Sequence, residues 1–380
     1  MMRSWAQYST RSQIELVGRG GDGPSPMASG SGDTPPPPRL SYWQKARSIT
    51  ARGIVCLFAL IAASGLRLPL AGQELFLDRP DIASTEVDRI YVKGLQFLGR
   101  TQTPDGKWPD PAYGGEPAVV GLAVVSMLAH GDDPNNGPNS QAIRQGLNYI
   151  LKQMNPKTGY IGRSMYNQGF ATLALAEAYG AVNDPRLGPA LEQAVRLILT
   201  SQAKNPLGAW RYNPESSDAD TTVSGAQMVA LFAARNAGIA VPEEAIQKGI
   251  KFFLSCQSPD GGIGYVSSSG PNGARTAIGC LTLALAKEKN SKAFQTAFNF
   301  LQKTQGESQY QQYYLYYASQ AFFHASPEAW QNWNRTNIKN LGSTQNADGS
   351  WDGQFGRTFG TAASLLSLAL NYRFLPIYER

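Results

Sequence analysis

Seven residues in this chain have the types and placement that chemistry would need. Lys107, Arg163, Arg211, Arg275 and Arg357 each stand just before or at the start of an apolar helical stretch. Asp218 and Asp220 open the stretch that follows Arg211, in the run Ser217-Asp218-Ala219-Asp220-Thr221-Thr222-Val223. If these stretches run parallel, their starts share one rim. Basic side chains and the positive ends of helix dipoles then make a site for an anion such as a diphosphate. The competing reading treats the same cations as solvated turn residues near Asp105, Asp110, Glu215 and Asp352, where exposed ion pairs are worth little. Asp220 also fits the N-cap of the helix beginning at Thr221, a role worth about 1 kcal/mol for Asp.

The elements that must position these residues form a repeat. In Lys93-Gly94-Leu95-Gln96-Phe97-Leu98-Gly99-Arg100-Thr101-Gln102, apolar residues from Val87 to Leu98 fall at helical spacing, and Pro104-Asp105-Gly106 then forces a turn before Trp108. A buried indole needs a partner for its N–H, and the Gln102 amide is expected to tie the helix end to the turn. Gln257, Gly261 and Ile263 repeat these offsets, as do Gln345, Gly349 and Trp351. Looser copies carry Gln153 with Gly159, and Gln202 with Gly208 and Trp210; a worn one has Gln305 and Gly306. The glutamines recur about every 40 to 55 residues, the period of a repeat built from helix pairs. After each turn a second helix with small residues on one face is expected, near 117–130, 167–179, 220–237, 272–286, 313–325 and 358–371. The small residues let these helices pack closely as an inner ring. The expected fold is all-α, an α/α toroid of six helical hairpin repeats.

The Gln and Gly-x-Trp repeat resembles that of squalene and oxidosqualene cyclases and of protein prenyltransferase beta subunits, and the resemblance spans roughly residues 85–375. It implies the toroid fold more strongly than any activity. Asp218-Ala219-Asp220-Thr221-Thr222-Val223 is similar to the Asp-x-Asp-Asp-Thr-Ala element of cyclases that begin by protonating an alkene. The resemblance makes Asp220 the proton donor and Asp218 its acidic neighbour, with Thr221 in place of the third acid. Such chemistry needs a carboxyl held protonated beside a dry cavity, with aromatic faces to stabilise the developing cation. Phe170, Trp210, Tyr212, Tyr265, Tyr313 and Phe359 are candidates for those faces. His130 and His324 fall near the C-terminal ends of inner helices, away from Asp220. The cyclases' second helical domain has no counterpart in 380 residues. The zinc-binding Asp-Gly-Cys of the prenyltransferases reads Ile278-Gly279-Cys280, so no metal and no other cofactor is expected. Gln305-Gly306-Glu307-Ser308-Gln309 echoes a thioester motif without its thiol. A glycan-cleaving toroid would need two carboxylates across a cleft, with Asp110, Glu116, Glu215, Asp220 and Asp352 as candidates. Two readings remain: a toroid that binds or transforms an apolar isoprenoid, or a non-catalytic toroid that binds a partner.

Charge argues against nucleic acid. Residues 1–72 hold eight Lys/Arg against Glu15, Asp22 and Asp33, and so carry five of the six net positive charges. Residues 1–47, rich in Gly, Ser and Pro, are expected to be disordered. Lys45, Arg47 and Arg52 precede an apolar run at 53–66, so residues 48–72 read as a signal peptide or membrane anchor. Either places the repeats outside the cytoplasm, periplasmic or secreted, where a membrane surface or another exported protein is a possible partner. Cys56 lies in this leader. Cys256 and Cys280 read as buried thiols rather than a disulfide.

Overall fold

The computed structural model describes residues 81–111, 113–304 and 310–378. The expected disordered region, the leader with Cys56 and the anchor at Gln305 lie outside the described residues. The helices, in chain order, are α1 (Asp81–Thr101), α2 (Pro117–Leu128), α3 (Ser140–Gln153), α4 (Met165–Ala178), α5 (Leu187–Lys204) and α6 (Thr221–Asn236). They continue with α7 (Glu243–Ser255), α8 (Gly273–Leu285), α9 (Lys292–Lys303), α10 (Gln311–Ala325), α11 (Pro327–Thr344) and α12 (Arg357–Ala369). The even-numbered helices contact one another in sequence, and α12 returns to α2, so the inner ring is closed. The odd-numbered helices surround it. This is the all-α toroid of six repeats, and among the described residues it contains no β-sheet.

Residue pattern sorts the two rings. Every residue of α2 and of α4 is buried, whereas α3 buries only Ala142, Ile143, Gly146, Leu147 and Ile150. An all-round apolar helix must sit inside, and a one-sided helix must cover it. Small residues permit the inner contacts: a Cβ at Gly121 would lie 2.6 Å from the Phe170 carbonyl oxygen across the α2–α4 contact.

The turn motif holds the repeats to one another. Trp108, Trp210 and Trp351 are buried, and their indole N–H groups donate to the carbonyls of Leu98, Ile198 and Leu341 at 2.9, 2.9 and 3.1 Å. The indole partner is therefore the backbone of the preceding helix rather than the Gln102 amide. That amide instead donates to Gly106 O in its own turn and to Ala142 O in α3, each at 3.1 Å. Gln202 bridges Gly208 O to Ala245 O in α7, and Gln257 bridges Gly261 O to Ala293 O in α9. Gln345 makes the same bridge from Gly349 O to Ile90 O in α1, 255 residues away, which closes the ring. The turn glycine must allow this approach. Gly349 has φ 91°, and a Cβ there would lie 2.2 Å from Lys93 O.

The second repeat departs from its motif. Gln153 is exposed, and the fully buried Gln168 of α4 makes the bridge, donating to Gly159 O at 3.2 Å and Ala194 O at 3.1 Å while accepting from Ile161 N at 2.8 Å. The two extra turn residues are not the cause by themselves, because the Gln202 repeat has the same six-residue offset to Gly208 and keeps its bridge. Cys256 and Cys280 are buried free thiols. No helix among the described residues is long and apolar enough to cross a membrane.

Candidate functional site

The six inner helices begin on one face of the ring, and a pocket opens there. It encloses about 820 Å³ including its open mouth. Tyr113, Tyr212, Tyr265, Tyr310 and Phe355 surround it from the turns, with Tyr166, Thr222, Ala274, Arg275, Tyr313 and Phe359 from the first turns of inner helices. Leu122 and Phe170 lie one helical turn beyond Ala118 and Tyr166, so the wall continues about 5 Å deeper and becomes wholly apolar. The rings pack on one another: Tyr313 stacks with Phe359 at 6.4 Å, and Phe355 meets Phe359 edge-on at 5.0 Å. Burial pushes the phenols of Tyr166, Tyr265 and Tyr313 above their usual value, so they stay neutral hydrogen-bonding groups.

Asp220 is fully buried behind this wall and is the N-cap of α6. Its Oδ1 accepts from Thr222 N and Val223 N, both at 2.8 Å, and from the Thr222 hydroxyl at 2.6 Å. Its Oδ2 lies 3.3 Å from an Arg211 nitrogen. Burial pushes the carboxyl above its usual value, opposed by the Thr222 and Val223 donors and by Arg211. Asp220 itself does not line the pocket; Thr222 does. The Thr222 hydroxyl also lies 2.6 Å from the Tyr166 hydroxyl, so a continuous hydrogen-bonded chain joins the buried carboxyl to the pocket wall. Asp218 is exposed and pairs with Arg211 at 3.3 Å, outside the pocket.

The pocket lining does not gather the rim cations. Lys107 pairs with Asp105 at 3.1 Å, and Arg357 with Asp348 at 2.7 Å and Asp352 at 3.3 Å. Arg211 is taken up by Asp218 and Asp220, and packs over the Tyr212 and Tyr265 rings. Arg163 is exposed and away from the pocket lining. Of the expected ligand-binding cations, Arg275 alone reaches the wall. Trp210 is also displaced from its expected role: its ring is 1% exposed and serves the repeat core, because a motif tryptophan must point back onto the preceding helix. Tyr212 and Tyr313 do line the pocket. His130 pairs with Asp132 at 2.9 Å beyond the far end of α2, and His324 lies in the last turn of α10.

Tyr113, Tyr166, Thr222 and Phe355 are lining residues that the sequence reading did not single out. For Tyr166 and Thr222 the signal was available, since both fall within the first turn of an inner helix, where a side chain faces the mouth. Two of the candidate glycosidase carboxylates hold backbone or side-chain donors at inner-helix starts. Asp110 accepts from Thr358 N at 3.2 Å at the start of α12, and Glu116 accepts from the Asn167 amide at 2.6 Å. Among the described residues, no group of three His, Cys, Asp or Glu side chains could hold a metal ion.

Residues 116–270 match the family model of the squalene-hopene cyclase C-terminal domain. A type II terpene cyclase from Scytonema, solved with its product merosterolic acid A, has a similar fold: TM-score 0.52, 16% identity, covering 77% of this chain and 98% of that one. An α-1,6-mannanase of glycoside hydrolase family 76 from Salegentibacter sp. HEL1_6, solved with α-1,6-mannotriose, aligns with TM-score 0.58 at 8% identity, covering 76% and 99%. A family 76 glycoside hydrolase from a bovine Bacteroides thetaiotaomicron strain aligns with TM-score 0.57 at 11% identity, covering 76% and 78%. At such identities the solved structures establish the shared ring architecture, while the family match adds the cyclase-type repeat. Over residues 116–270 the chain is similar to the squalene-hopene cyclase C-terminal domain, and its ring is the α/α toroid that these solved structures share.

Proposed function

We propose that this protein binds an apolar isoprenoid in the pocket at the mouth of its ring. The observation that carries this reading is the composition of the wall: aromatic and aliphatic side chains line a concave site with a few polar groups at its entrance. The Scytonema cyclase, which shares the ring, is described with geranylgeranyl dihydroxybenzoate as substrate, and this supports a prenyl chain as the ligand type. Glycoside cleavage is supported less well. It requires two carboxylates facing the sugar, and no Asp or Glu is among the described residues lining the pocket.

Cyclisation is a second reading, supported by the chain from Asp220 through Thr222 to Tyr166. In it Asp220 remains the α6 cap and also serves as the proton source. The protonated carboxyl gives its proton to the Thr222 oxygen while the Thr222 proton passes to the Tyr166 oxygen and the Tyr166 proton to the ligand alkene, the reverse of the resting bonds in which Thr222 donates to Asp220. Without turnover, the same pocket makes the protein a binding toroid. We also propose that residues 53–66 direct export and that the ring works outside the cytoplasm, on a membrane surface or with another exported protein.

The test is geranylgeraniol binding by native mass spectrometry, comparing wild type with Ala274→Phe, which places a ring in the pocket. Saturable binding that this variant loses supports the reading. No binding, or equal binding by both proteins, removes it. Turnover assays with Asp220→Asn then separate the two uses of the site, since an Asn variant with full turnover rules out the acid role.

A further inference from the structure

The Arg275 guanidinium is half-buried in the pocket wall, with the Tyr265 ring 5.8 Å away; among the described residues no carboxylate lies within ion-pairing distance, Asp220 acting on it only from farther off. Its Nε is buried without a hydrogen-bond partner. The contrast with the other rim cations is informative. Arg211, Arg357 and Lys107 each pair with an acid in their own turn, whereas the acid of the turn before α8, Asp260, accepts from the Ser258 hydroxyl and Gly262 N and makes no ion pair with Arg275, beside which Asn272 caps Arg275 N through its side-chain oxygen at 2.9 Å. Half-burying a guanidinium without a counter-ion is costly unless a partner arrives from outside. Tyr265 and Tyr310, which flank Arg275 at the rim, contribute hydroxyls rather than charges. Leu122 and Phe170 make the apolar wall below them.

We propose that Arg275 holds the head group of an amphipathic anion whose apolar tail lies in the pocket. One cation suits a single carboxylate or phosphate monoester; a diphosphate would need further cations, and Lys107, Arg211 and Arg357 are already paired while Arg163 stands away from the pocket lining. The head sits at the rim, where Arg275 donates to it, and the tail runs inward toward Leu122 and Phe170. This rests on the isoprenoid reading for the nature of the tail, but not for the head.

The experiment compares binding of geranylgeranoic acid, geranylgeranyl phosphate, geranylgeraniol and palmitic acid by the full chain at pH 8, by isothermal titration calorimetry. A charge-assisted hydrogen bond predicts that the prenyl acid, the prenyl phosphate or both bind about tenfold or more tightly than the alcohol. Arg275→Gln should erase that difference, Arg275→Lys should keep part of it, and Arg357→Gln should keep all of it. Acid, phosphate and alcohol binding equally to wild type overturns the head-group assignment while leaving the isoprenoid pocket intact. So does an anion preference that survives Arg275→Gln. Tight binding of palmitic acid with no binding of geranylgeraniol upholds the anion site and overturns the isoprenoid reading. Failure of all four to bind overturns both. If Arg275→Gln does not fold, the wild-type comparison of acid, phosphate and alcohol decides alone.

Discussion

Replacing Gln168 by Ala should destabilise the ring by about 3 kcal/mol. The side chain is fully buried and makes three hydrogen bonds, to Gly159 O, Ala194 O and Ile161 N. The substitution strands two carbonyls and one N–H where water does not readily replace the lost partner, and each lost bond costs about 1 kcal/mol. Gln153 is the internal control. It occupies the motif position that Gln102, Gln257 and Gln345 use, yet it is exposed, so Gln153→Ala should change stability by less than about 0.5 kcal/mol. Urea unfolding followed by circular dichroism, with the slope checked for constancy, gives both values. A Gln168→Ala cost below about 1 kcal/mol, or a Gln153→Ala cost as large as that of Gln168→Ala, would refute the assignment of the second bridge to the inner helix.

Three further outcomes follow from the same geometry. Gln345→Ala removes the bonds to Ile90 O and Gly349 O and should cost about 2 kcal/mol; faster proteolysis of α1, read by N-terminal sequencing of the fragments, would locate the damage at the ring closure. Asp220→Ala should cost about 1 kcal/mol through the lost cap, seen as a lower urea midpoint, whereas Asp220→Asn retains an acceptor for Thr222 N and Val223 N. Because burial raises the folded-state pKa of Asp220, the native protein keeps a proton that the unfolded chain releases as pH climbs above about 3.9. Wild-type stability measured against that of Asp220→Asn should therefore be greatest below that pH and decline as pH rises through the folded-state value; a difference that grows with pH would contradict the burial argument.

The ring was legible in the sequence because its determinants are local and repeated. A turn glycine, a glutamine four residues before it and an aromatic two residues after it occur often enough to reveal the period, and small residues mark the inner helices. The roles within the motif were less accessible. The Gln102 amide and the Trp108 indole were expected to serve one another, but each finds a backbone carbonyl, and the more distant one belongs to the next repeat. Sequence shows that a polar group needs a partner without showing which helix the fold brings alongside. The same limit explains the site. Arg163, Arg211, Arg275 and Arg357 look equivalent at the starts of inner helices, but Asp105, Asp260 and Asp348 share one motif position and only Asp105 and Asp348 pair with a rim cation, so the period does not tell which cation is left unpaired. Tyr212 and Tyr313 were recognisable as wall residues from their types, whereas Trp210 belongs to the staple. That Thr222 stands between Asp220 and the pocket depends on the rotation of α6 about its axis.

Mass spectrometry of the organic extract of purified protein is the most direct measurement of what the pocket holds. An isoprenoid recovered from wild type at near one molecule per chain, and absent from Ala274→Phe, is the predicted result. An extract without isoprenoid, or one whose isoprenoid content is the same in both proteins, would contradict the account.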